Sequence, residues 1–219
     1  QLIFVANRSP GQRAGLNRET VISAARALAE REGLERLSMR TLAAELGVMP
    51  NALYSHVDGK AALLEGVLDA VLGDVEVPSA GGWRKRLIGV FESTRAVLLD
   101  HPGLIEAFLT RPTRGANAMR LGAECLDLLA RGGIEDELAG RGFRALLVYT
   151  IGFAASEAPR RADPDPDART ATGIEAFRAT GHERSSAQAE RLAALPTARD
   201  FRAGLDWMLD GLVAQARTG

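Results

Sequence analysis

Apolar residues recur at helical spacing along nearly the whole chain. After Asn17, a good N-cap, Val21, Ile22, Ala25, Leu28 and Ala29 form one buried stripe, and Gly33 supplies the stop. Ser38 caps a short second helix with Leu42, Ala43 and Leu46 inward, ended by Gly47 after two turns. Pro50 stands where the first turn of a third helix tolerates it, and the pattern predicts that helix as far as Val57, at the Asp58-Gly59 turn. A fourth helix carries Leu63, Leu64, Val67, Leu68, Val71 and Leu72 and stops before Pro78.

Beyond residue 80 the predicted helices lengthen. They run from Trp83 to Asp100, Leu104 to Thr110, Thr113 to Arg131 and Ile134 to Ala158, with breaks at His101-Pro102-Gly103 and Gly132-Gly133. Pro159 to Asp167 reads as a linker, because three prolines in so short a stretch oppose helix. Thr170 to Leu195 reads as weaker helix with a break at Gly181, and Ala198 to Arg217 as a final one. The expected division is a flexible arm over 1–15, a compact unit over 16–60 and a larger unit over 61–219 that opens with a connecting helix over 61–76.

Composition agrees with helix. The chain has 37 Ala and 29 Leu against 12 Val and 7 Ile, so residues that lose little on entering a helix outnumber the β-branched ones that fill strands. The expected class is all-α. A single cysteine, Cys125, excludes an intramolecular disulfide and any CxxC or zinc-finger site, and fits a reducing cytoplasm. No run of 18 apolar residues occurs, so no membrane span is expected. The chain does not open on methionine, which fits an incomplete or processed start, and its first residues lack the basic region of a signal peptide.

Charge contributes less. The net charge is −1, yet residues 1–60 hold eight basic and six acidic side chains while the remainder holds 19 and 22. That polarity has the sign a DNA-binding end would need, but it is too small to identify one. Nine of the 11 aromatic residues lie beyond residue 80, which divides the labour between the two ends.

Residues 38–57 read helix, tight turn, helix, in elements too short to stand alone; braced by neighbours, this is the helix-turn-helix arrangement. Ala43 is small where the helices cross and Gly47 can take the left-handed turn. Leu53 and Val57 face the core, which leaves Met49, Asn51, Ala52, Tyr54 and Ser55 on other faces of the third helix. A recognition helix presents such early residues to base edges in the major groove.

The run LSMRTLAAELGVMPNALYSHVDGKAALLEGVLDAVLGDVEVP resembles the DNA-binding region of TetR-type transcriptional repressors, most specifically in Leu-Tyr-x-His-Val followed by Lys60 and a leucine-rich helix. The likeness covers about residues 16–77, and GWRKRLIGVFESTRAVLLDHPGL resembles the regulatory domain of the tetracycline-repressor branch. Beyond residue 110 the likeness is architectural.

The resemblance implies an all-α homodimer whose larger domain binds a small molecule and then releases operator DNA. It assigns Arg40 to a base or phosphate, Pro50, Asn51, Tyr54 and Ser55 to groove or phosphate, and His56 and Lys60 to the DNA backbone. Met49 joins this set, although Met49 and Ala52 can read only thymine methyls or shape. The chemistry fits: Arg40 can donate bidentately to guanine, Asn51 can pair with adenine, and Tyr54 and Lys60 can donate to phosphate. In relatives the last two long helices form a four-helix bundle with their symmetry mates, which points to 134–158 and 198–217 here.

For the effector the candidates are Trp83, Phe91, His101, Phe108, Met119, Cys125, Tyr149, Phe153 and Phe177, a collection of aromatic and soft side chains that suits a small, largely apolar molecule. Tetracycline is not implied, since no recognisable metal–drug site appears. Catalysis, cofactors and metals are not expected. His56, His101 and His182 are scattered, and the chain has no Gly-rich phosphate loop, HExxH or GxSxG. Two rivals stay open: an all-α ligand-binding protein or enzyme whose N-terminal helices are structural only, and a DNA binder with a filled core that answers to no ligand.

Overall fold

Caps and glycine stops set most helix boundaries. The structure, a computed structural model, describes residues 16–111, 113–194 and 196–218; the arm expected over 1–15 lies outside the described residues. The helices are α1 (Arg18–Glu32), α2 (Met39–Leu46), α3 (Pro50–Leu53), α4 (Gly59–Leu72), α5 (Trp83–Asp100), α6 (Ile105–Thr110), α7 (Ala116–Arg131), α8 (Asp136–Arg161), α9 (Pro166–Ala179), α10 (Glu183–Ala187), α11 (Ala189–Ala193) and α12 (Ala198–Ala216). A 3-10 turn, Pro102–Leu104, precedes α6. There is no strand among the described residues, so the all-α expectation holds.

The chain divides into two compact units between Val67 and Leu68, inside α4. In the first, Asn17 caps α1 by accepting from Thr20 N at 2.8 Å, while the Asn17 N–H donates to the Thr20 hydroxyl at 3.0 Å. Ser38 and Thr41 repeat this reciprocal arrangement on α2. Val21, Ala25, Leu28, Leu37, Leu42, Leu53 and Leu63 close the core of this unit to solvent. Nearly all of their apolar area leaves water, which is what lets helices of four and eight residues persist.

In the second unit α5 packs against α7, α8 and α12. Its buried face carries Leu87, Ile88, Val90, Phe91 and Leu98, together with one charge, Arg95. Arg95 donates from Nε and Nη2 to both carboxylate oxygens of Glu157 on α8, at 2.8 and 2.6 Å. Its guanidinium also lies 5.6 and 5.4 Å from the ring centres of Phe153 and Phe201. α9 packs on α10 and α11.

Three expectations need correction. The third helix is one turn, and Tyr54, Ser55 and His56 sit in the turn after it rather than on it. The Ser55 hydroxyl donates back to Ala52 O at 2.8 Å, and His56 N takes the Leu53 carbonyl at three-residue spacing, so the chain tightens out of α geometry. The connecting helix ends at Leu72 instead of 76, where Gly73, Asp74 and Val75 bond back in a tight turn. The proline-rich linker shrinks to 162–165: α8 continues through Pro159 to Arg161, and α9 starts at Pro166 behind the Asp165 cap. A proline in the last turn removes one hydrogen bond only, and at the first position of a helix it removes none. The weak helix over 170–195 is broken at Gly181, where φ is +68°.

Candidate nucleic-acid interface and ligand cavity

In the first unit the turn between α2 and α3 is built on one glycine. Gly47 is left-handed, with φ +66° and ψ +31°, and its N–H bonds to Ala43 O and Ala44 O. Val48 N also reaches Ala43 O, at 3.0 Å, so the last carbonyls of α2 are satisfied within the turn. Ala43 is buried where a larger side chain would separate the helices. Pro50 occupies the first position of α3, and Leu53 and Val57 anchor that segment inward.

What this scaffold leaves outside is a row of the residues singled out from sequence. Arg40 at the start of α2, Asn51 on α3 and Lys60 in the first turn of α4 are exposed. Met49 is 77% and Tyr54 53% exposed, although large apolar and aromatic side chains usually find cover. Ser55 is exposed, and Pro50 and His56 are half-buried. Among the described residues Arg40 and Lys60 have no carboxylate partner, whereas Arg26 and Arg31 pair with Glu30 and Glu45. Two cations are thus available on this edge to neutralise an anionic polymer.

The second unit encloses a cavity of about 650 Å³, within the range of small-molecule sites. It is lined from five helices, α4 to α8, and the loop before α7. Of the sequence candidates, Phe91, Phe108, Met119 and Cys125 line it; Trp83, His101, Tyr149, Phe153 and Phe177 do not. Trp83 packs its ring over Gly132. His101 ends α5. Tyr149 and Phe153 belong to a separate cluster, with Tyr149 stacked on Phe201 at 5.4 Å and donating to Phe201 O at 3.1 Å. Phe177 lies half-buried on α9.

Sequence reasoning set Phe143, Leu147 and Ile151 on the helix expected in the dimer bundle and not among the effector candidates, yet they line the cavity at the i, i+4, i+8 spacing of one α8 face. That spacing was the available signal. Burial, followed by the nearby charge of Glu124, pushes the Cys125 thiol up to about 12. It therefore stays protonated and acts as an apolar wall rather than a nucleophile.

Two family models match this chain. "Bacterial regulatory proteins, tetR family" covers residues 21–67, and "Tetracyclin repressor-like, C-terminal domain" covers residues 77–216. The chain belongs to the TetR family. It is similar to the HTH-type transcriptional repressor DrrR1 of Streptomyces coeruleorubidus, at 34% identity over 99% of this chain and 86% of that protein. Apo ActR from Streptomyces coelicolor matches with a TM-score of 0.84 at 30% identity, covering 94% of this chain and 98% of ActR. ActR in complex with actinorhodin matches at 0.83 and 30% identity, covering 93% and 99%. A TetR-family transcriptional regulator needs a reading head and a regulatory body, and the two units divide along that line. Among the described residues no helix is long and apolar enough to cross a membrane.

Proposed function

We propose that this TetR-family regulator is a homodimeric repressor that binds double-stranded operator DNA through the α2–α3 edge and leaves it when a small molecule enters the cavity. The observation that carries this reading is the presence, in one chain, of an exposed helix-turn-helix edge with unpaired cations and an apolar cavity of about 650 Å³. ActR, of the same fold, has been seen with actinorhodin and with (S)-DNPA. In this reading Arg40 and Asn51 meet base edges, Met49 meets a thymine methyl, and Pro50, Tyr54, Ser55, His56 and Lys60 fix the register on the sugar-phosphate backbone.

Dimerisation is assigned to α8 and α12. The two helices approach closely at two glycines: a Cβ on Gly142 would lie 2.8 Å from Leu212, and one on Gly204 only 2.1 Å from the Tyr149 hydroxyl. The same two helices leave Val148 57% and Trp207 74% exposed, which supports their burial against a second copy. Val148 also lines the cavity, so the proposed interface adjoins the ligand site.

The coupling runs through Asp69. Gly115, at the N-cap of α7, offers no side chain; the Asp69 carboxylate of α4 accepts from Ala118 N at 2.9 Å and Asn117 N at 3.3 Å in its place. Asn117 Nδ2 donates to Asp69 O at 3.0 Å. Ala118 and Met119, in the same turn, line the cavity. A ligand that displaces this turn acts on α4, the helix that begins at Gly59 beside the reading edge.

The test is a protection footprint of the full chain on DNA flanking its own gene. Two half-sites about one or two helical turns apart support the proposal. A single isolated half-site, or no protection at low salt, overturns it.

A further inference from the structure

We propose that the cavity selects organic anions: its effector is an aromatic acid, with the ring system among Phe91, Phe108 and Phe143 and the acidic group held by Arg111 and Arg144. This rests on the effector-released reading above and adds to it the charge of the effector.

The three phenylalanines come from three helices, α5, α6 and α8, and Phe91 and Phe143 stand 6.4 Å apart with their planes tilted by 41°. Rings so placed offer both faces and edges to a flat aromatic guest. Charge decides the rest. Among the described residues no aspartate or glutamate lines the cavity, whereas two arginines do.

Some arginines of this unit are matched, Arg84 with Asp206 and Asp210, Arg86 with Glu124, Arg95 and Arg161 with Glu157, and others such as Arg120 and Arg131 are not; what sets Arg111 and Arg144 apart is their place on the cavity lining. Among the described residues Arg111 and Arg144 have no such partner, and both are exposed. Two unmatched guanidinium groups at one apolar cavity attract a carboxylate, sulfonate or acidic phenol, whose paired oxygens fit the planar fork of arginine. A cationic aromatic would meet the same two charges with no carboxylate to balance it. Deeper in, the Thr94 hydroxyl commits its proton to Val90 O at 2.8 Å, so its oxygen is left to accept from a guest phenol.

The experiment uses two fluorescent dyes of the same skeleton, anilinonaphthalene sulfonate and the uncharged phenylnaphthylamine, titrated into the full chain. In Arg111→Gln/Arg144→Gln the affinity for the sulfonate falls about tenfold and that for the neutral dye stays within about twofold. Gly122→Leu serves as the blocking control: a Cβ there would lie 3.9 Å from the Phe143 ring, an ordinary contact, and a longer side chain fills the space. It abolishes binding of both dyes while circular dichroism keeps the helical signal.

Equal response of the two dyes to the arginine variant overturns the anion assignment and leaves the cavity reading standing. Binding that survives Gly122→Leu, or no binding of either dye, overturns the cavity reading and the anion assignment with it.

Discussion

The two units treat apolar side chains in opposite ways. The reading head packs Leu37, Leu42, Leu53 and Leu63 to full burial, and among its described residues the exposed large apolar ones, Met49 and Tyr54, both lie at the α3 edge. The regulatory body has a core of its own around Leu87, Leu128, Leu129 and Leu146, yet it surrounds a cavity and exposes Leu109, Met119, Leu126 and Val148 along that cavity's lining. A closed core holds a fixed shape for a polar partner; an open one trades stability for a site that an apolar guest completes. Charges follow the same division. The head's described ion pairs are at the surface, while the body buries Arg95 with Glu157.

That contrast is most exposed to test at its buried charge. Glu157→Ala leaves the Arg95 guanidinium unpaired in the core and should destabilise the full chain by about 3–5 kcal/mol in urea unfolding, whereas Glu45→Ala should cost under about 1 kcal/mol. Similar values for the two would break the comparison. Replacing both partners, as in Arg95→Met/Glu157→Leu, should recover most of the loss, because the apolar pair needs no desolvated charge.

Packing gives the next effect. Leu53→Ala in the closed head should cost about 2–5 kcal/mol, and Leu147→Ala, on the wall of the cavity, less than half as much, because fewer neighbours lose contact there. Binding follows. Arg40→Ala should lose about 1–3 kcal/mol of operator affinity and relax preference at one base pair. Lys60→Ala should weaken all duplexes alike and lower the salt slope by about one unit. Identical behaviour of these two variants in competition binding would remove the division between base and backbone contacts.

The smallest effect separates two helix caps. Thr197, through its hydroxyl and its backbone N–H, holds the Asp200 carboxyl below its ordinary value at the start of α12. A lowered carboxyl contributes above the unfolded value, and the contribution is lost as pH falls through the lowered one. The Ser38–Thr41 cap on α2 carries no titrating group. Acid should therefore fray the first turn of α12 and not that of α2, and Asp200→Asn should reduce the pH dependence of amide protection in that turn, measured relative to free-chain exchange.

Legibility differed between the units for the same physical reason. In the head each inward residue has one periodic assignment, so Leu42, Ala43, Leu53 and Val57 were readable, as was the left-handed Gly47. The one-turn length of α3 was not, because it depends on where the Ser55 hydroxyl bonds. In the body α8 is apolar on several faces. At about 100° per residue, Phe143, Leu147 and Ile151 share one side, while Tyr149 lies about 120° away from Phe143. The sequence candidates took Tyr149 and Phe153 and left out Phe143, because composition could not say which side of α8 meets the cavity. The resemblance to the family covered the head with specific motifs, and the body only in architecture.

The central claim is that the α2–α3 edge reads DNA by sequence. Its most direct test is fluorescence anisotropy of the full chain on a duplex from the region flanking its own gene and on a scrambled duplex, over a series of salt concentrations. The account predicts an affinity for the native duplex that falls linearly in log salt and exceeds that for the scrambled duplex by at least about a thousandfold at physiological salt. Equal affinity for the two duplexes, or binding indifferent to salt, would contradict it.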